Sequence, residues 1–203
     1  MIGVIDYGLG NLRSVVGALG KLGASAELVA TPQAVARADK LILPGVGAFG
    51  RGINNLRERG LDAVIRDRVL TAGIPILGIC LGMQLLASQS SEFGQHPGLD
   101  LIPGDVTRLT SDATGERVPH VGWNTIRQIE FSRLLQGVSE NAYFYHVHSF
   151  HFRPKDETAA VAECTHGHAF CTVVEKGHIF GAQFHPEKSQ RQGLQVLTNY
   201  LAL

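Results

Sequence analysis

Through its first half the chain alternates short apolar runs with stretches of helical spacing. This alternation restricts the fold more than any other feature. Residues 2–6, 25–30, 40–43 and 74–79 read as strands. Between them, residues 11–22 place Leu12, Val15, Val16 and Leu19 on one helical face. A helix starts at Thr31-Pro32, with Thr31 as N-cap and Pro32 at the first helical position. Residues 53–70 hold one or two helices broken near Gly60, and residues 81–88 form another. Strands alternating with helices imply a parallel sheet covered on both faces. Strands buried on both faces read as nearly unbroken apolar runs, as Leu41-Ile42-Leu43 and Ile74-Pro75-Ile76-Leu77 do.

The second half changes texture. Short strand candidates fall at residues 105–109, 123–129, 142–145, 150–152, 159–164, 170–175 and 179–184, separated by turn residues. With no linker between the halves, they read as an antiparallel extension of the same sheet. Residues 190–203 close the chain as an amphipathic helix. The expectation is one domain spanning residues 1–203.

Eighteen basic and eighteen acidic residues cancel, which points away from nucleic acid and membrane surfaces as partners. Met1-Ile2-Gly3-Val4-Ile5-Asp6 runs into a strand without a charged start, and three cysteines suit no disulfide framework. The expected location is cytoplasmic.

Chemistry concentrates in three segments. Gly78-Ile79-Cys80-Leu81-Gly82 has the form of a nucleophile elbow, with small residues flanking a strand-to-helix turn. The helix after it aims free N–H groups at the sulfur, and the Leu81 N–H faces the oxygen of a tetrahedral intermediate. His185-Pro186-Glu187 supplies a base and a carboxylate to fix its tautomer. Nucleophile, base and orienting group are what covalent acyl chemistry requires. Pro44-Gly45-Val46-Gly47 follows the third strand, so it falls at the sheet edge that carries Cys80. Val46 or Gly47 is the expected second oxyanion donor.

Together these residues resemble a class I, triad-type glutamine amidotransferase over nearly the whole chain. Ile5-Asp6-Tyr7-Gly8-Leu9-Gly10-Asn11-Leu12-Arg13-Ser14, Pro44-Gly45-Val46-Gly47 and Pro119-His120-Val121-Gly122-Trp123-Asn124 narrow the resemblance. They are similar to the branch of that family whose glutaminase subunits serve a barrel cyclase in histidine biosynthesis. The resemblance implies a flavodoxin-like class I glutamine amidotransferase fold, with a mostly parallel central sheet, helices on both faces and an antiparallel extension. It implies Cys80, His185 and Glu187 as a triad hydrolysing glutamine through a thioester. Gln84 and the backbone around Ser149 and Phe150 then hold the substrate. The implied partner is a cyclase subunit of (β/α)₈ fold in a heterodimer, met by a face including Asn11, His120, Trp123 and Tyr145. The family pattern has an aromatic where His146 stands. No cofactor and no metal are expected. Competing functions are a class I glutaminase serving anthranilate or vitamin B6 synthesis, and a non-catalytic glutamine sensor.

Three other segments carry ligand-type or glycine-rich residues. Cys164, His166, His168 and Cys171 offer four borderline ligands in a short span, but their spacing is not that of a standard zinc site, and Gly167 reads as a hairpin turn. His146, His148 and His151 are further metal candidates of the same low rank. The glycines of residues 6–13 lack a full phosphate-loop fingerprint.

Overall fold

A computed structural model describes residues 1–110 and 115–203. In chain order its elements are β1 (Ile2–Ile5), α1 (Leu12–Lys21), β2 (Ala26–Val29), α2 (Pro32–Ala36), β3 (Lys40–Gly45), α3 (Phe49–Glu58), α4 (Leu61–Arg66), β4 (Ile76–Cys80) and α5 (Leu81–Leu85). There follow β5 (Gln89–Ser90), β6 (His96–Pro97), β7 (Gly104–Arg108), β8 (His120–Thr125), β9 (Arg127–Gln128), β10 (Tyr143–His148) and β11 (Phe150–Pro154). The chain ends with β12 (Ala160–His166), β13 (His168–Lys176), β14 (Ile179–Ala182) and α6 (Gln190–Ala202).

The main sheet has strand order β2-β1-β3-β4-β14-β13-β12-β9. Its strands β2 to β14 are parallel, and β14-β13-β12-β9 are antiparallel. Alternation along each strand divides the core in two. Ile5, Leu41 and Leu43 face a layer containing Phe49, Ile53, Leu56 and Leu61, while Val4 and Ile42 face Val15, Leu19, Val196 and Leu197. Thus α1 and α6 cover one face, and α2 to α5 the other. Two-sided burial is what the unbroken apolar runs encode.

The helix signals behave as their chemistry dictates. The Ala34 N–H donates to Thr31 Oγ1 at 3.3 Å, with Pro32 following the cap. Gly60 sits between α3 and α4 at φ 66°, marking the break that the sequence suggests. The first of these helices begins earlier than expected, at Phe49. The third strand continues through Pro44 to Gly45 instead of closing at Leu43. Pairing with β1 stops at Ile42, so the missing N–H of Pro44 breaks no ladder on that side.

One sequence expectation needs correcting. The second half is not a single extension of the main sheet: β10 and β8 form a separate two-stranded ribbon, and β11-β7-β5-β6 form a third sheet. Moreover β14, expected among the antiparallel strands, runs parallel to β4. Alternation announces a strand but does not choose its partner. That choice depends on contacts far along the chain, such as Phe150 opposite Arg108.

Tyr200 ties α6 to the sheet. Its buried hydroxyl lies 2.6 Å from the Leu41 carbonyl oxygen and 3.0 Å from that of Pro75. Tyr200→Phe keeps the ring and leaves both acceptors without this donor. Urea titration is expected to show a loss of about 1–3 kcal/mol.

Candidate active site

The parallel strands β3, β4 and β14 bring three segments to one edge. Gly45 lies opposite Cys80, and Ala182 opposite Ile79. The loop after β3, the end of β4 and the loop after β14 therefore converge at the carboxyl edge of the sheet, where ligands of such sheets bind.

Cys80 makes the strand-to-helix turn within one residue, at φ 55° and ψ −111°. A residue with a side chain takes such a φ only when its surroundings impose it. Here the imposing element is backbone. A Cβ at Gly78 would lie 2.6 Å from the Gly82 carbonyl oxygen, and one at Gly82 would lie 1.7 Å from that of Leu43. Glycine at both positions lets β3, β4 and α5 press together and holds the thiol at the edge. The helix that follows spans only Leu81–Leu85, shorter than the 81–88 expected.

His185 is buried, and its Nδ1 lies 2.7 Å from Glu187 Oε1. A carboxylate can only accept, so Nδ1 carries the proton. Nε2 has no hydrogen-bond partner meeting ordinary geometry and is left to interact with the Cys80 sulfur. Burial opposes the charged imidazolium. The Cys80 sulfur and the Glu187 carboxylate outweigh it and raise the His185 pKa to about 9. The loop is also held from behind: the His185 N–H donates to the Tyr145 carbonyl at 2.9 Å, and Ser189 Oγ donates to the His185 carbonyl at 2.6 Å.

A cavity of about 350 Å³ opens over Cys80. Val46, Gly47, Leu81, Gln84, Ser149 and Phe150 all line it. Its size falls at the small end of ligand pockets, about 300–1,000 Å³. Gly47 sits at φ 102°, a conformation that lets the loop turn its backbone toward the cavity. A larger hollow of about 860 Å³ runs along β9 and contains none of these residues.

Three residues of this region were not singled out from the sequence. Gln183 is fully buried; its Nε2 lies 3.8 Å from Cys80 Sγ, and its Oε1 accepts from Gln84 Nε2 at 3.1 Å. Its signal was a lone polar residue ending the run Ile179-Phe180-Gly181-Ala182. Gln84 also donates to the Phe150 carbonyl at 2.9 Å, so its amide nitrogen braces the cavity wall. Ser189 accepts from the Tyr145 N–H at 3.0 Å, joining β10 to the His185 loop. Tyr7 is fully buried with an unpartnered hydroxyl, and burial, followed by the Cys80 charge, pushes its phenol pKa up. Nothing in the local sequence marks Ser189, and Tyr7 carries no role of its own within the 5–14 segment that narrows the resemblance.

The β8–β10 ribbon has two unlike faces. Val121, Trp123, Tyr143 and Val147 are exposed and alternate with inward residues. Trp123 is 46% exposed and meets the Tyr145 ring edge-on. His120, expected on a partner face, is 4% exposed and lies on the inward side. Asn11 caps α1, and its Oδ1 accepts from Ser14 Oγ at 2.8 Å. The weighed set Cys164, His166, His168 and Cys171 does not converge. Gly167 turns the β12–β13 hairpin at φ 73°, and Cys164 and Cys171 pack against opposite core layers.

Comparison with known proteins shows the family. The family model for glutamine amidotransferase class-I matches residues 3–202. A crystal structure of a glutamine amidotransferase superposes with a TM-score of 0.77 at 23% identity, covering 99% of this chain and 97% of that one. The chain belongs to the class-I glutamine amidotransferases. Among curated relatives, the imidazole glycerol phosphate synthase subunit HisH of Moorella thermoacetica is 47% identical over 98% of this chain and 93% of its own. The subunit of the same name from Chlorobaculum tepidum is 45% identical over 98% of both chains. Within its class, the chain belongs with these HisH subunits.

Glu187→Gln tests the orienting role of the carboxylate. The amide can present its NH₂ to Nδ1 and favour the wrong tautomer. We expect kcat for glutamine hydrolysis to fall about 10²–10⁴-fold with the fold intact. Since Glu187 helps raise the His185 pKa, imidazole NMR should also show that pKa displaced downward.

Proposed function

We propose that this chain is the glutaminase subunit of an imidazole glycerol phosphate synthase, acting as one glutamine amidotransferase domain over residues 1–203. The observation carrying the proposal is Cys80, held at its turn beside a buried His185–Glu187 pair and opening on a cavity of about 350 Å³. In this reading Cys80 attacks the side-chain amide carbon of glutamine. The backbone N–H of Leu81 and one from Val46 or Gly47 receive the developing oxyanion. His185 protonates the departing nitrogen, and ammonia leaves as the C–N bond breaks, giving a glutamyl thioester. His185 then takes a proton from water, which cleaves the C–S bond and releases glutamate. Gln84, Ser149 and Phe150 position the substrate.

The ammonia goes to a cyclase subunit of (β/α)₈ fold, which makes imidazole glycerol phosphate and an aminoimidazole carboxamide ribotide in histidine biosynthesis. The exposed apolar face of Val121, Trp123, Tyr143 and Val147, with Tyr145 beside it, supports a protein partner next to the cavity. A cytoplasmic heterodimer follows from this reading. No helix among the described residues is long and apolar enough to cross a membrane.

The test measures glutamate release from glutamine, with the chain alone and with a barrel cyclase plus its nucleotide substrate. Slow release alone and a large rise with both supports the proposal. High activity alone, or indifference to the cyclase, assigns the triad to another acceptor pathway.

A further inference from the structure

The inward face of the β8–β10 ribbon carries a cluster that the glutaminase chemistry does not use. His120 and His148 are directly opposed across the ribbon, and His146 stands two residues from His148 on the same face. All three are buried. One ring nitrogen from each lies within 4.8 Å of the others. His120 Nδ1 and His148 Nε2 are 3.3 Å apart. Tetrahedral zinc with Zn–N bonds of about 2.0–2.1 Å needs ligand nitrogens roughly 3.4 Å apart. One edge of the ligand triangle is therefore already set.

The bonds at His148 favour ligation, whereas the Asn124 Nδ2 donor facing His120 Nε2 must be displaced before His120 Nδ1 can give up its proton to an ion. His148 Nδ1 lies 2.9 Å from the Phe150 carbonyl, which can only accept, so the proton sits on Nδ1 and Nε2 offers its lone pair. His146 is 0% exposed, yet neither of its ring nitrogens has a hydrogen-bond partner. A buried imidazole with both nitrogens unpaired is costly unless something binds it. Its ring stacks on His120 at 4.5 Å between centroids with planes 22° apart, so closing on an ion requires His146 to turn out of that stack. His166, stacked on the other side of His120, is committed through Nε2 to the Arg117 carbonyl at 2.8 Å.

We propose that His120, His146 and His148 form a three-histidine site for a borderline divalent metal such as Zn²⁺. This revises the expectation of no metal and does not depend on the glutaminase reading. The alternative is a metal-free relay, in which Asn124 Nδ2 donates to His120 Nε2 at 3.3 Å, His120 to His148, and His148 to Phe150. That relay satisfies every member except His146. The Phe150 carbonyl that orients His148 also accepts from Gln84, so the metal site and the cavity wall share a support.

The test uses the full chain without a histidine tag, stripped with a chelator and titrated with Zn²⁺ against a chromophoric competitor. Wild type should take up about one equivalent. His146→Phe, which keeps an aromatic ring without a ligand atom, and His120→Asn should each weaken binding at least 100-fold, whereas His96→Asn should not. Co²⁺ loading should give the visible bands of a tetrahedral site in wild type and not in His146→Phe. Circular dichroism establishes that the variants are folded; if one is not, the other decides. Less than a tenth of an equivalent bound by wild type, or equal affinity in the folded variants, would overturn the proposal in favour of the relay or of an adventitious surface site.

Discussion

Cys80→Ala is expected to abolish glutamate release, with turnover falling about 10⁴-fold or more. In the proposed mechanism the Cys80 sulfur, lining the cavity, forms the acyl intermediate that the His185–Glu187 pair serves. Removing a nucleophile that works as a unit with its base removes the covalent route itself, beyond any share of binding energy. Cys80 lines the cavity, and its sulfur makes long contacts of 4.0 Å to the Val147 carbonyl and 3.8 Å to Gln183, so removing that one atom should leave the fold intact. Glutamine should still bind, measurable by calorimetry. A variant that stayed folded and kept wild-type turnover would remove Cys80 from the mechanism.

Gly82→Ala should give the largest stability loss of any single methyl addition in the site. The new Cβ would lie 1.7 Å from the Leu43 carbonyl oxygen, a contact with backbone that no rotamer can relieve. Either α5 moves off β3 or the turn at Cys80 opens, and each uncouples the thiol from the sheet edge. A loss of about 4 kcal/mol or more is expected, a large part of a typical domain's stability of about 5–15 kcal/mol. Gly17→Ala provides the control. That glycine is exposed inside α1, and an added Cβ would meet nothing within 4 Å. There the substitution should stabilise by about 0.5–1 kcal/mol. Urea titrations of the two variants should therefore move in opposite directions.

The contrast between these glycines shows what the sequence could and could not convey. Gly78 and Gly82 were legible because the elbow has a fixed spacing around its nucleophile. The parallel half was legible because two-sided burial writes itself as runs such as Leu41-Ile42-Leu43. His185 and Glu187 were legible because both lie within one short turn after a strand. Gln183, Ser189 and Tyr7 were not, since each acts across strands that only the fold brings together. The extent of β3 was misjudged at Pro44, where the usual bar on proline applies only to a side of the strand that is paired. The division of the second half into three sheets was hidden for a related reason. Alternating residues state that a strand has two faces, not which neighbour it meets. The histidine cluster shows this most clearly. His146 and His148 are neighbours in sequence, but His120 joins them only through the register of β8 against β10.

The measurement that bears most directly on the glutaminase mechanism is interception of the acyl intermediate. The chain, with its cyclase partner and the partner's nucleotide substrate, is supplied with glutamine and rising hydroxylamine. The account predicts that γ-glutamyl hydroxamate forms at the expense of glutamate, and that Cys80→Ala yields neither product. Glutamate release that never partitions to hydroxamate, or hydroxamate formed equally well by Cys80→Ala, would contradict a thioester on Cys80.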